Sequence, residues 1–456
     1  MKNSTIFKLL LTAAAALFLF TIIFLHSAKR SEDDRQSVFL VVEPFPQTED
    51  VSQEPDTALV SNISAPEKKE NADVETEIDD GFDLADELLP PDLYLEQIED
   101  FREKVEKEAK RRQELDENNA VDETDYTDYD SDSYFNHSDN DSDNSDKNSS
   151  SAPAKSVIID TDFASDADDV IAIRLAMCFQ DAGMLDIKGI ALSTTYSRSP
   201  LAVHALCYQD GYDSIPVAMD TSGNGVQVHT EYVEVMYDMP RSRSDYEQPV
   251  EMYRRILAES DTKVNIITLG FLQNIQGLMN SKPDQYSPLT GLELIKEKVD
   301  TLYITGGNST GKPSFNFYWT GDKVINAARD VANSFPARIV FLQSDLSDDT
   351  LCGQFYQTKD PNRSDIVTKA LFANDQYGGV VAWDVFSVWC AAQDMNGSLD
   401  ASFLKLEQGS QYISHTGATQ WTAEAAGSHY KMYKHMQGSY YSQIMNAILL
   451  DKFNRK

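Results

Sequence analysis

Val157-Ile158-Ile159-Asp160-Thr161-Asp162-Phe163-Ala164-Ser165-Asp166-Ala167-Asp168-Asp169-Val170-Ile171-Ala172 is the stretch that decides the fold: an apolar run breaks into five aspartates between positions 160 and 169. An apolar run rich in β-branched residues reads as a buried strand, and Val170 to Met177 reads as a helix start, so the carboxylates occupy a strand-to-helix turn. Open α/β sheets place their ligand sites at such turns. Five acids on one short turn repel one another, which raises pKa values or costs stability unless a cation neutralises them. A hard divalent ion with oxygen ligands suits that role. A single aspartate at a strand end is often only an N-cap, but a cap needs one acid and this turn has five.

Downstream, short apolar strand candidates alternate with helical stretches: Val157 to Asp160, Ile187 to Leu192, Val264 to Leu269, Thr301 to Thr305 and Arg338 to Leu342. That alternation predicts βαβ units and an α/β fold with a doubly wound, mostly parallel sheet. Asp162, Leu269, Gly306 and Ser344 each follow a strand end, so they are expected to meet at one crevice.

The Asp-rich block resembles the signature of the inosine-uridine-preferring nucleoside hydrolases, in which a strand-end Asp-x-Asp and a paired Asp-Asp at the helix start hold Ca²⁺. The common version is Asp-x-Asp-Pro-Gly-x-Asp-Asp. Here the loop is longer, in the pattern Asp-Thr-Asp-x-x-x-Asp-x-Asp-Asp. Asn265 to Ile275 resembles the family's second strand-turn, Thr305-Gly306-Gly307 its Gly-Gly turn, Ser314-Phe315-Asn316-Phe317-Tyr318 its ribose-binding segment, and Ala382-Trp383-Asp384-Val385 its His-Asp. The resemblance covers roughly 155 to 450, as a divergent member. It implies a nucleoside hydrolase-like domain in which Asp162, Asp169, the Leu269 carbonyl and Asp384 bind Ca²⁺. It also implies that Asp168 and Asn316 contact ribose, and that Asp162 takes the proton from the attacking water. The implied activity is Ca²⁺-dependent hydrolysis of the N-glycosidic bond of a ribonucleoside or related N-riboside. The alternative is a non-catalytic, Ca²⁺-dependent nucleoside-binding module on the same fold.

Three motifs depart from the family pattern. Trp383 stands where a histidine protonates the leaving base, and an indole donates no catalytic proton at neutral pH. Protonation of the base must then come from another group or from solvent, or the base is held by stacking on aromatic residues such as Trp383. Ser197-Arg198 is the counterpart of a sugar-binding Gly-Asn, and Ser314 replaces a glutamate. Asp160 is expected to orient the turn and Asp166 to be solvated. A phosphatase with Asp160 as nucleophile also predicts an Asp-x-Asp after a strand, but leaves Asp168-Asp169 unexplained.

The remainder of the 456 residues is organised by charge. Residues 31 to 150 carry a net charge of −28 out of −35 for the chain, and 151 to 456 only −11. Such an acidic balance excludes nucleic acid as a partner. Lys8 is followed by seventeen uncharged residues, Leu9 to Leu25, before Lys29 and Arg30, which predicts a signal anchor over 1 to 30. The domain would then be membrane-anchored and extracytoplasmic, or secreted if the segment is cleaved. Residues 31 to 154 read as a largely disordered acidic linker. Within it, Leu93, Leu95, Ile98, Phe101 and Val105 recur at helical spacing, predicting a helix over 92 to 118. That helix is read as solvated inside the linker, with self-association into a homo-oligomer as the other reading. The nucleoside hydrolase-like domain is assigned to 155 to 456, with a small-molecule substrate. Cys178, Cys207, Cys352 and Cys390 fall at no metal-ligand spacing, and no disulfide is predicted.

Overall fold

The computed structural model describes residues 99–108, 110–111, 153–220, 226–228, 230–236, 246–376 and 378–455. The expected anchor at 1 to 30 and nearly all of the acidic linker lie outside the described residues. Among the described residues no helix is long and apolar enough to cross a membrane.

The sheet grows from β1 (Lys155–Thr161), whose last five residues are buried. It pairs in parallel with β2 (Leu185–Leu192) on one side and β4 (Val264–Thr268) on the other. Beyond β2 lies β3 (Val217–Met219), and beyond β4 lie β5 (Val299–Thr305) and β6 (Arg338–Leu342), all parallel. The order 3-2-1-4-5-6 reverses direction between β1 and β4, the point where doubly wound sheets open a crevice beyond their strands' carboxyl ends. A short antiparallel pair, β7 (Leu351–Cys352) and β8 (Val380–Val381), stands apart.

Alternation along the strands separates two cores. Val157, Ile159, Ile267, Tyr303 and Val340 face one apolar layer, and Ile158, Ile266, Leu302, Ile304 and Ile339 face the other. Strands buried on both faces explain the near-continuous apolar runs in the sequence. Helices Asp168–Asp181, Trp383–Met395 and Gly438–Arg455 cover the first layer, and Pro249–Glu259, Gln273–Asn280 and Asp322–Ser334 the second. Helix Asp168–Asp181 is buried at every position from Asp168 to Phe179, so its aspartates begin an interior helix. Arg174 within it is fully buried and forms ion pairs with Asp210 at 2.8 Å and Asp365 at 2.6 Å.

The mostly parallel α/β expectation holds, with an addition. β9 (Leu404–Ile413), β10 (Thr419–Ala423) and β11 (His429–Lys434) extend the sheet; β11 is parallel to β6, while β9 runs antiparallel to β11 and β10 antiparallel to β9. All four cysteines are buried free thiols.

Residues 99–108 are helical, as their periodicity predicts, but the reading of a solvated helix is corrected. Phe101 and Val105 are buried in the first core, and Phe101 meets the Phe179 ring edge-on at 6.0 Å between centroids. Arg102 also pairs with Asp451 in the C-terminal helix at 3.2 Å. An amphipathic stripe alone does not say whether its partner is another chain or its own domain.

Candidate active site

The end of β1 positions the first group of site carboxylates. Asp162 leaves the strand, and Asp168 and Asp169 open the next helix, where the unsatisfied N–H groups favour negative charge. The turn between them is held from outside. The Ala164 N–H donates to the Tyr232 hydroxyl at 2.7 Å, and the Phe163 carbonyl accepts from Thr194 Oγ1 at 2.9 Å and Ser199 Oγ at 3.2 Å. Ala164 itself sits at φ 95°, a left-handed conformation that a side chain adopts only when its surroundings force it.

Asp384, the second residue of helix Trp383–Met395, completes the set. One carboxylate oxygen from each of Asp162, Asp169 and Asp384 falls within 4.8 Å of the others, all three residues being buried. The backbone N–H of Asp384 donates to Asp168 Oδ2 at 3.0 Å, and Thr161 Oγ1 donates to Asp169. Burial pushes the Asp162, Asp168 and Asp384 carboxyls well above the usual range, and the neighbouring charges of Asp169, Asp166 and Asp168, respectively, add to it. Burial raises Asp169 to about 7, although the Thr161 hydroxyl opposes the shift. Three buried like charges with no basic side chain among them form a cage that a divalent cation would neutralise. Oxygen-only donors fit Ca²⁺ or Mg²⁺ better than a softer metal.

The end of β4 supplies the fourth expected ligand. Leu269 N–H donates to the Asp160 carbonyl at 2.7 Å, and the Leu269 carbonyl accepts from Asn316 Nδ2 at 2.8 Å. Gly270 allows this approach, because a Cβ there would lie 2.5 Å from the Asp162 Cβ. Asp160 points away from the cluster. Its carboxylate accepts from Tyr253 Oη at 2.8 Å and Asn274 Nδ2 at 3.0 Å, and burial raises it to about 7. It braces the turn, as expected, and does not line the crevice, which removes the phosphatase reading with Asp160 as nucleophile.

A cavity of about 360 Å³ opens over these residues, lined by Asp162, Asp168, Leu269, Asn316, Trp383 and Asp384 among others. Six of the seven residues singled out in the sequence therefore line one cavity, and Asp169 lies in the carboxylate cluster at its floor. Asp166 lines it too, instead of being merely solvated, with Gln376 Nε2 donating to it at 2.7 Å. Arg198 does not line it and pairs with Glu234.

Sequence reasoning does not reach Asp348, and two other lining residues stand inside the quoted motifs without an assigned role: Thr305, whose buried hydroxyl has no partner among the described residues, and the half-exposed ring of Phe315. The Phe315 ring sits between Phe271, at 5.6 Å, and Trp319, at 4.8 Å, tilted by 37° and 31° to them. Trp383 Nε1 donates to Asp348 Oδ1 at 2.9 Å. Acids soon after the β6 strand end are a visible signal for Asp348. Among the described residues no histidine lines the cavity. His429 is built into the sheet between the Gln411 N–H and the Ala332 carbonyl.

Nucleoside hydrolases recur among solved structures similar to this chain. An inosine-uridine preferring nucleoside hydrolase from Bacillus anthracis is 12% identical, with TM-score 0.48, covering 65% of this chain and 99% of its own. A plant nucleoside hydrolase is 16% identical, with TM-score 0.49 and the same coverage. The type III effector protein XopQ, complexed with adenosine diphosphate ribose, is 13% identical, with TM-score 0.49, covering 66% of this chain and 94% of its own. No family model and no curated relative matches the sequence.

Proposed function

We propose that the protein hydrolyses the N-glycosidic bond of a ribonucleoside or related N-riboside with the help of a bound Ca²⁺. One observation carries this reading: three buried carboxylates converge at the floor of a cavity that also presents Asp168, Asn316 and Trp383. Asp162, Asp169, Asp384 and the Leu269 carbonyl would hold the ion. When bound, it keeps these carboxylates ionised and acidifies a water at the site.

The chain's own residues do the rest. Asp168 lines the cavity with one oxygen fixed by the Asp384 N–H, leaving the other to accept from a ribose hydroxyl. Asn316 spends its amide hydrogens on Leu269 and Thr305, so its Oδ1 acts as an acceptor. Asp162 takes the proton as water attacks the anomeric carbon. The ribose then passes through oxocarbenium character that the surrounding carboxylates stabilise.

The lack of a lining histidine among the described residues favours the second reading, a Ca²⁺-dependent binding module without turnover. Reducing-sugar release from a panel of nucleosides and p-nitrophenyl riboside, with p-nitrophenyl phosphate as control, separates the two. Hydrolysis of a riboside by the wild-type chain and its loss in Asp162→Asn support the enzyme. Calcium-dependent nucleoside binding without sugar release supports the module.

A further inference from the structure

The cavity combines three features that together select a leaving group. Asp162, Asp166, Asp168, Asp348 and Asp384 line it, and no lysine, arginine or histidine among the described residues does. A divalent cation offsets two charges among Asp162, Asp169 and Asp384, and Asp166, Asp168 and Asp348 remain around the space left for substrate. Charge of one sign in a partly closed, low-dielectric cleft attracts the opposite sign.

The second feature is the use made of Trp383. The only N–H of its side chain donates to Asp348 at 2.9 Å, so the indole has no hydrogen to offer a ring nitrogen of a departing base. The same hydrogen bond fixes an anionic group beside the indole. The third feature is aromatic: Phe315 is 38% exposed at the cavity, backed by Phe271 and by Trp319, itself 37% exposed. Aromatic faces and a carboxylate are the components that bind an organic cation.

We propose that the site is selective for N-ribosides whose leaving group is a cationic aromatic nitrogen heterocycle, a pyridinium or azolium bonded to ribose through its quaternary nitrogen. This rests on the hydrolase reading of the same site. As the water oxygen bonds to the anomeric carbon, the C–N bond breaks and its electron pair returns to the ring nitrogen. The heterocycle departs neutral, the water proton passes to Asp162, and no general acid is required. A neutral purine leaving by the same route must collect a proton, and no imidazole among the described residues lines the cavity to give it.

The test uses the full chain with Ca²⁺ and measures kcat/KM for 3-carbamoylpyridinium riboside, inosine and uridine, each divided by its uncatalysed rate. The expected result is a preference of about 100-fold or more for the cation, of the size that several desolvated electrostatic contacts provide. Asp348→Asn should lower that cation-to-neutral ratio about tenfold, and Asp348→Glu should largely keep it, because one charge at contact distance is at stake. Raising ionic strength should erode the ratio. Equal or better normalised rates on inosine or uridine overturn the charge selectivity and leave the hydrolase intact. An unchanged ratio in Asp348→Asn overturns the role of Asp348. No cleavage of any riboside overturns the hydrolase reading and the selectivity with it.

Discussion

Asn316 Nδ2 donates to the Leu269 carbonyl at 2.8 Å while also donating to the Thr305 carbonyl at 2.9 Å. One side chain thereby ties the ends of β4 and β5 together at the cavity and fixes the direction of the carbonyl assigned to calcium. Asn316→Ala should weaken calcium binding and lower kcat/KM on ribosides by about 10- to 100-fold, the cost of two buried carbonyls losing their donor. Calcium titration beside riboside kinetics checks this, and a loss of kcat/KM with unchanged calcium affinity would confine Asn316 to the sugar.

Gly270 packs directly against Asp162: a Cβ added at Gly270 would lie only 2.5 Å from both the Asp162 Cβ and its backbone nitrogen. Neither of those atoms is the far end of a flexible side chain, so Gly270→Ala must shift the turn. Overpacking of this kind costs about 1 to 3 kcal/mol. Thermal unfolding should show that cost, and calcium affinity should fall more than it does for Gly211→Ala, whose φ of 83° strains the backbone but where no atom lies within 4 Å.

Much of the fold and of the site is legible in the sequence itself. The five strands read from the apolar runs are strands, because their buried two-sided environment demands continuous apolar character. Asp162, Asp169 and Asp384, from two segments far apart in the chain, come together as the motifs imply. The antiparallel extension escapes such a reading because β9, Leu-Lys-Leu-Glu-Gln-Gly-Ser-Gln-Tyr-Ile, mixes polar residues through a half-covered strand. Asp348 escapes it because its partner, the Trp383 indole, lies 35 positions away and only the folded chain joins them. The helix at 99–108 is legible but its surroundings are not, since periodicity shows an apolar face and not what covers it.

That docked helix bears on where the folding unit starts. Phe101 is 5% exposed and seated on Phe179, and burying such a ring contributes about 1.5 to 3 kcal/mol. Phe101→Ala should destabilise the chain by that amount in denaturant unfolding. A chain beginning at residue 151 should also have a lower Tm than one beginning at residue 90. Equal stability of the two would show that the helix rests on the domain without contributing to it.

Asp160 and Asp169 are both raised to about 7 by burial, so the folded state binds protons that the unfolded chain releases near pH 4. A raised carboxyl contributes stability that is complete below its unfolded pKa and is lost as pH rises through its folded pKa. Calcium-free protein should therefore lose stability between about pH 4 and pH 7, by up to about 4 kcal/mol for a group shifted this far. If the proposed calcium is held by the ionised cluster, adding it should restore stability most above pH 7. Asp160→Asn should remove part of the calcium-free pH dependence. Tm measured from pH 4 to 8 with chelator and with calcium checks the sign, and a calcium-free Tm that rises over this range would contradict it.

The most direct measurement is riboside hydrolysis through a cycle of chelation and calcium return. Reducing-sugar release by the full chain should fall to background after chelation, return with Ca²⁺, and stay absent in Asp169→Ala under both conditions. Undiminished release from chelated protein, or full activity in Asp169→Ala, would contradict a calcium site built from Asp162, Asp169 and Asp384 at the centre of the chemistry.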